Sequence, residues 1–156
     1  MKSLSAVVRR LLGLSAAPGS GESSPELEFF NSITGELEFE LEETAEGAVE
    51  VRGLRLEPEI YLEESEEFRP LSDDECALVV LAQPAIRLRG ESGTVVLHRA
   101  PNGSEFTVDD LLAAILETER RTRAASEFLG GVDTHHRFLE GIRRAEDGVW
   151  EIAWGS

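Results

Sequence analysis

The sequence predicts an α+β fold in which antiparallel β-hairpins pack against one long helix. Apolar residues alternate strictly with glutamate over residues 36–42, the period of a half-buried strand, and a capping signature at Thr107 opens a sustained helical stripe. Turn residues (Gly, Asn, Asp) also recur between short apolar runs in the second half, the punctuation of hairpins. The 156 residues, 41% hydrophobic and 29% charged, suit one globular domain that folds without disulfides or metals, placed here at residues 25–156.

Residues 1–24 read as a separate amphipathic arm. Leu4, Val7, Val8, Leu11 and Leu12 recur at helical spacing, with Lys2, Arg9 and Arg10 available to the other face, and residues 17–24 form a Gly/Ser/Pro linker. The arm is basic, carries several serines and has no acid before Glu22. It fits a terminal helix that docks on the domain or stays mobile, an organellar transit peptide, or a segment contacting a membrane surface or partner.

Residues 25–63 read as β-structure. Leu27, Phe29 and Ile33 run to a turn at Thr34-Gly35, and Leu37, Phe39 and Leu41 then alternate with Glu36, Glu38, Glu40 and Glu42. Val49 and Val51 share one parity while Leu54, Leu56, Ile60 and Leu62 share the other, so the register changes at Gly53, where a β-bulge belongs.

Ser72 and Glu75 form a capping box before the apolar run Cys76 to Ala82, and Pro84 ends it, which predicts a short helix near 73–82; Val79 and Val80 leave a strand as the alternative. Ile86 and Leu88, then Val95 and Leu97, flank Gly90-Glu-Ser-Gly93 as a hairpin, and Asn102-Gly103 marks another tight turn. The long helix spans about 108–128. Thr107 and Asp110 cap it, Val108, Leu111, Leu112, Ile115, Thr122 and Phe128 favour one face, Glu117–Arg121 and Glu119–Arg123 pair at i,i+4, and Gly130-Gly131 stop it. A last hairpin runs from His135 to Ile142, turns at Glu146-Asp-Gly148, and returns through Trp150, Ile152 and Trp154, whose shared face belongs to the core.

The run Phe106-Thr-Val-Asp-Asp-Leu-Leu-Ala-Ala-Ile115, then Phe128-Leu-Gly-Gly131, Arg137-Phe-Leu-Glu-Gly-Ile142 and Asp147-Gly-Val-Trp150, resembles an uncharacterised domain family common in mushroom-forming fungi. The resemblance covers about the last 60 residues. It implies a layout and carries no assigned activity and no site residues.

Charge is the most informative global property. The net −16 sits in one window: Glu22 to Glu75 holds 17 Glu and 2 Asp against Arg52, Arg55 and Arg69, and the remainder is balanced. Such a surface repels phosphate backbones and anionic headgroups, which excludes direct nucleic-acid binding, and it suits a basic protein partner. No apolar run approaches the roughly 20 residues of a spanning helix, so an integral membrane protein is not expected. Cys76, the single cysteine, rules out an intrachain disulfide. A cytoplasmic location is expected, with an organelle as the alternative if the arm is a transit peptide.

Residue chemistry offers one constellation, Asp133-Thr-His-His136 with Glu140 four residues on, a donor set suited to a divalent transition metal. On a strand, however, His135 and His136 would point to opposite faces, whereas His136 and Glu140 would share one and form a hydrogen-bonded structural pair. Cys76 lies in an apolar run as inert packing, Glu119 near the apolar stripe is expected to pair with an arginine, and no phosphate-cradling loop or nucleophile elbow occurs. The expected function is a non-enzymatic, acidic interaction module (immunity- or inhibitor-like, or an adaptor), binding a basic protein through Glu36, Glu38, Glu40 and Glu42. No cofactor is implied. The alternative is a metal-binding protein or enzyme using His136, Glu140, Asp133 and His135.

Overall fold

The computed structural model describes residues 24–125 and 132–156. The amphipathic arm, apart from Ser24, lies outside the described residues, as do Phe128 and the Gly130-Gly131 stop. The described chain opens with helix α1 (Pro25–Asn31), where the alternation of Leu27, Phe29 and Ile33 predicts a strand. The correction has a local cause. Ser24 Oγ accepts from the Leu27 N–H at 3.1 Å, Pro25 stands at the first helical turn, and Glu26 and Glu28 lie at the positive end of the helix dipole. Adjacent Phe29 and Phe30 are both buried, which a helix wedged into a core permits and a half-buried strand does not.

Strand β1 (Ile33–Thr34) pairs antiparallel with β4 (Glu59–Leu62) instead of turning back at Thr34-Gly35, and β4 pairs with β5 (Glu67–Pro70). Between β1 and β4 in sequence, β2 (Leu37–Glu43) and β3 (Val49–Leu56) form a separate antiparallel hairpin. Its register slips beside Gly53, between the pairs Glu40↔Gly53 and Leu41↔Val51, where the parity change places the bulge.

Helix α2 spans only Asp73–Cys76, and the rest of the expected 73–82 helix is strand β6 (Val79–Leu81), paired with β9 (Phe106–Thr107). The capping box starts the helix, but the β-branched Val79-Val80 pair fits the ladder better than a further helical turn. Glu75 does double duty in that box: it accepts from the Ser72 N–H at 2.9 Å and takes a bidentate fork from Arg69 at 2.7 and 3.0 Å. Burial of the carboxyl opposes its ionisation, but the Arg69 and Ser72 hydrogen bonds outweigh it and hold Glu75 below the usual range. A depressed carboxylate stabilises the fold above its unfolded pKa of 4.5 and loses that contribution as pH falls through its folded value. Glu75→Gln is therefore expected to cost about 1–3 kcal/mol at neutral pH. Its urea midpoint should converge on that of the wild type as the pH falls below 4.5.

The largest sheet has four strands in the order β10 (Phe138–Arg144), β11 (Trp150–Gly155), β7 (Ala85–Arg89) and β8 (Val95–Arg99). Both sequence-adjacent pairs are hairpins, whereas β11 and β7 run parallel, so the fold is α+β with mostly antiparallel sheets. Helix α3 (Val108–Thr122) begins with the expected capping box and ends before 128, passing into a 3₁₀ turn at Arg123–Ala125. At this departure stands Arg123, whose guanidinium is held by the 133–136 loop. Helix α3 lies against β3, β7, β8 and β9, and its Val108, Leu111 and Ile115 are fully buried. Trp150 and Trp154 are core residues, as their spacing predicts. Glu117 pairs with Arg120 at 2.6 Å rather than with Arg121. Among the described residues, no helix is long and apolar enough to cross a membrane.

Candidate functional site

Two regions hold the residues that the sequence singles out: the β2–β3 hairpin and the loop before β10. Glu36, just before the hairpin, and Glu38, Glu40 and Glu42 within it are all exposed, as alternation requires. Three of them meet arginines: Glu36 lies 3.1 Å from Arg137, Glu38 pairs with Arg55, and Glu40 lies 3.9 Å from Arg52. Glu42 instead faces Glu50 directly across the strands. Unmatched charge thus shifts to the hairpin's far end, where Glu43 and Glu46 join Glu42 and Glu50. Leu41 and Val49 are exposed there, whereas Leu56, at the near end, is buried.

The loop is built differently from the strand expected at His135 to Ile142. Strand β10 begins only at Phe138, so the opposite-face rule does not govern His135 and His136. Asp133 organises this segment. Its Oδ1 accepts from the N–H groups of His135 (2.8 Å) and His136 (3.2 Å), while its Oδ2 lies 2.6 Å from His136 Nδ1. Glu91, from the Gly90–Gly93 turn between β7 and β8, brings Oε1 to 3.4 Å from the same nitrogen. Glu140 and His135 are exposed and stand apart from the three-residue cluster of Glu91, Asp133 and His136, so the expected His136–Glu140 pair does not form.

Behind the loop lies a buried ion pair. Arg123 Nε donates to Glu119 Oε2 at 2.7 Å, and both side chains are fully buried. Arg123 Nη1 donates to the carbonyls of Asp133 (2.8 Å) and His136 (2.7 Å). The other oxygen of Glu119 accepts from Trp154 Nε1 (2.9 Å) and the Glu91 N–H (3.0 Å). The guanidinium also lies over the rings of Phe39 and Trp154, 5.6 and 5.3 Å from their centroids. Gly90 lets the turn approach this closely, because a Cβ there would sit 2.7 Å from Glu119 Oε1 and 3.1 Å from Thr122 Oγ1.

Electrostatics follow from these contacts. Asp133 is penalised by burial, but hydrogen bonds from His136 and two backbone N–H groups overcome that and lower it to about 2. His136 is raised, first by its bond to Asp133 and then by the charges of Asp133 and Glu91. Burial and the Asp133 carboxylate push Glu91 up. The Cys76 thiol is pushed up to about 11 by burial and the nearby Asp109, which leaves it protonated and inert at neutral pH.

Sequence reasoning brings Asp133 and His136 together and misses Glu91, which lies far away in sequence on a turn with no metal-ligand spacing. Two open depressions among the described residues lie elsewhere, one over Glu38–Glu40 and Gly53–Arg55 and the other lined by Glu140, Ile142, Arg143 and Glu151–Ala153. No protein-family model, curated protein or solved structure matches the chain.

Proposed function

We propose that this chain is a non-enzymatic, acidic protein-interaction module that docks a basic partner through the distal end of the β2–β3 hairpin. The observation that carries this reading is the hairpin tip, where exposed Leu41 and Val49 lie on one face and Glu42 and Glu50 stand directly opposite one another on the other. Like charges directly opposite one another destabilise a ladder, and uncovered aliphatics at the same tip gain nothing from water. Alternation places Glu43 on the face of Leu41, opposite Val49, so apolar and anionic groups are interleaved on one side. A basic amphipathic segment suits that mixed face, and the Glu42–Glu50 pair behind it adds to the field that draws a cation in. The β4–β5 hairpin repeats the composition: Tyr61 and Phe68 are exposed with ring centroids 5.2 Å apart, among Glu63, Glu64, Glu66 and Glu67. Exposed aromatic faces with nearby carboxylates suit lysine and arginine side chains.

The test is titration of a lysine- and arginine-rich amphipathic peptide, with its acid-substituted counterpart as control, at low and high salt. Neutralising Glu42, Glu43, Glu46 and Glu50 to Gln together is expected to weaken binding about tenfold or more at low salt. Neutralising Glu36, Glu38 and Glu40, whose charge arginines already meet, should weaken it less. Affinity indifferent to salt, or equal losses from the two sets, would remove the reading.

A further inference from the structure

We propose that Glu91, Asp133 and His136 form a binding site for one divalent transition ion of the zinc type, independent of the acidic docking surface. The donor set is two carboxylates and one imidazole, and their ligand atoms all lie within 4.8 Å of one another. Oxygen and imidazole nitrogen are the ligands such an ion takes. Tetrahedral coordination with bonds of about 2.0–2.2 Å puts neighbouring donor atoms about 3.3 Å apart. His136 Nδ1 and Glu91 Oε1 are already 3.4 Å apart. Asp133 Oδ2, at 2.6 Å from the same nitrogen, has to withdraw by about 0.7 Å.

Preorganisation favours the ion over a flexible surface cluster. Asp133 is fully buried, and its Oδ1 is committed to the loop's backbone, which fixes Oδ2 as the oxygen left for coordination. The Glu119 carboxylate holds the Glu91 backbone, and Arg123 holds the carbonyls of both Asp133 and His136, so all three donors hang on one rigid frame.

Two further features border the cluster. His136 Nδ1 stands between the Asp133 and Glu91 carboxylates, 2.6 Å from Asp133 Oδ2 and 3.4 Å from Glu91 Oε1. An ion seated among these three atoms would set its positive charge against both carboxylates. Separately, Arg123 Nη2 is a buried polar atom with no hydrogen-bond partner among the described residues, and it belongs to the guanidinium that braces this loop.

The experiment is calorimetric titration of the full chain, stripped with chelator, with Zn²⁺ and with Mn²⁺, read alongside metal content after dialysis. One equivalent of Zn²⁺ is expected to bind, and Glu91→Gln, Asp133→Asn and His136→Ala should each weaken it about tenfold or more. His135→Ala and Glu140→Gln should bind as the wild type does. Circular dichroism checks that each variant folds, and Glu91→Gln, on a turn, keeps the test open if an Asp133 variant does not. The proposal falls if the wild type shows no saturable binding, if folded Glu91→Gln and His136→Ala retain full affinity, or if His135→Ala abolishes it.

Discussion

Replacing Glu119 by Gln is expected to cost about 3–5 kcal/mol of stability, the penalty for leaving a buried charge without its counter-ion. Glu119 and Arg123 are both fully buried, one turn apart on α3 and its 3₁₀ extension. Size is conserved in the substitution, so cavity formation plays no part. The amide can keep an oxygen toward Trp154 Nε1 and the Glu91 N–H, but its NH₂ then faces Arg123 Nε, donor against donor. Arg123→Met should cost a similar amount for a different reason: it strips a partner from the carbonyls of Asp133 and His136 and leaves Glu119 anionic in the core. Glu119→Leu combined with Arg123→Met should cost less than the two single changes summed, because no lone charge remains buried. It should not recover the wild type, since Trp154 Nε1 and the Glu91 N–H stay without an acceptor. Both tryptophans are buried, so urea unfolding followed by their fluorescence reads the wild type, the double variant and each single change, Glu119→Leu included. A Glu119→Gln cost below about 1 kcal/mol would mean that the pair is hydrated in solution.

That ion pair shows what the sequence made legible and where legibility ended. The spacing of Glu119 and Arg123 announced an i,i+4 pair, but most such pairs are solvated, and the one local hint, that Glu119 lies near the apolar stripe, does not separate a half-covered pair from a fully buried one. Its burial depends on Phe39 and Trp154 closing over it, contacts made across most of the chain. Signals confined to a few residues read well: both capping boxes, the bulge at Gly53, the turns at Gly90–Gly93 and Glu146–Gly148, and the inward tryptophan face. Short elements read badly. Helix α1 makes barely two turns, too short to show a helical period, and Leu27, Phe29 and Ile33 fit alternation until Phe30 is known to be buried. The capping box at Ser72 fixed where α2 starts and carried no information about its end, which tertiary pairing of Val79 with Thr107 decides. At the candidate centre, Asp133 and His136 are neighbours in sequence and were found together. Glu140 was a false partner because β10 starts two residues after His136, and Glu91 arrives through the packing of a hairpin turn on α3.

Gly141→Ala is expected to cost about 3–5 kcal/mol, a large effect for one methyl group, since two separate penalties add. Gly141 sits in β10 with φ of +102°, at the register slip between Leu139 and Ile142, where an L side chain is strained by about 1–3 kcal/mol. The new Cβ would also lie 2.8 Å from Cγ and 3.0 Å from Cβ of Asn31. Asn31 is the last residue of α1, and its amide clamps the neighbouring backbone: Oδ1 accepts from the Ile142 N–H at 2.9 Å and Nδ2 donates to the Ile142 carbonyl at 3.2 Å. Displacing it forfeits both bonds, about 1 kcal/mol each, and loosens the docking of α1 on β10. Asn31→Ala alone should therefore cost about 2 kcal/mol. The double variant separates strain from collision. With the amide gone, the added methyl has less to strike, so Asn31→Ala/Gly141→Ala should be more stable than the sum of the single losses by about 1 kcal/mol or more. Strict additivity in urea midpoints would assign the whole cost of Gly141→Ala to backbone conformation. A Gly141→Ala protein as stable as wild type would mean that β10 does not bend around Asn31 at all.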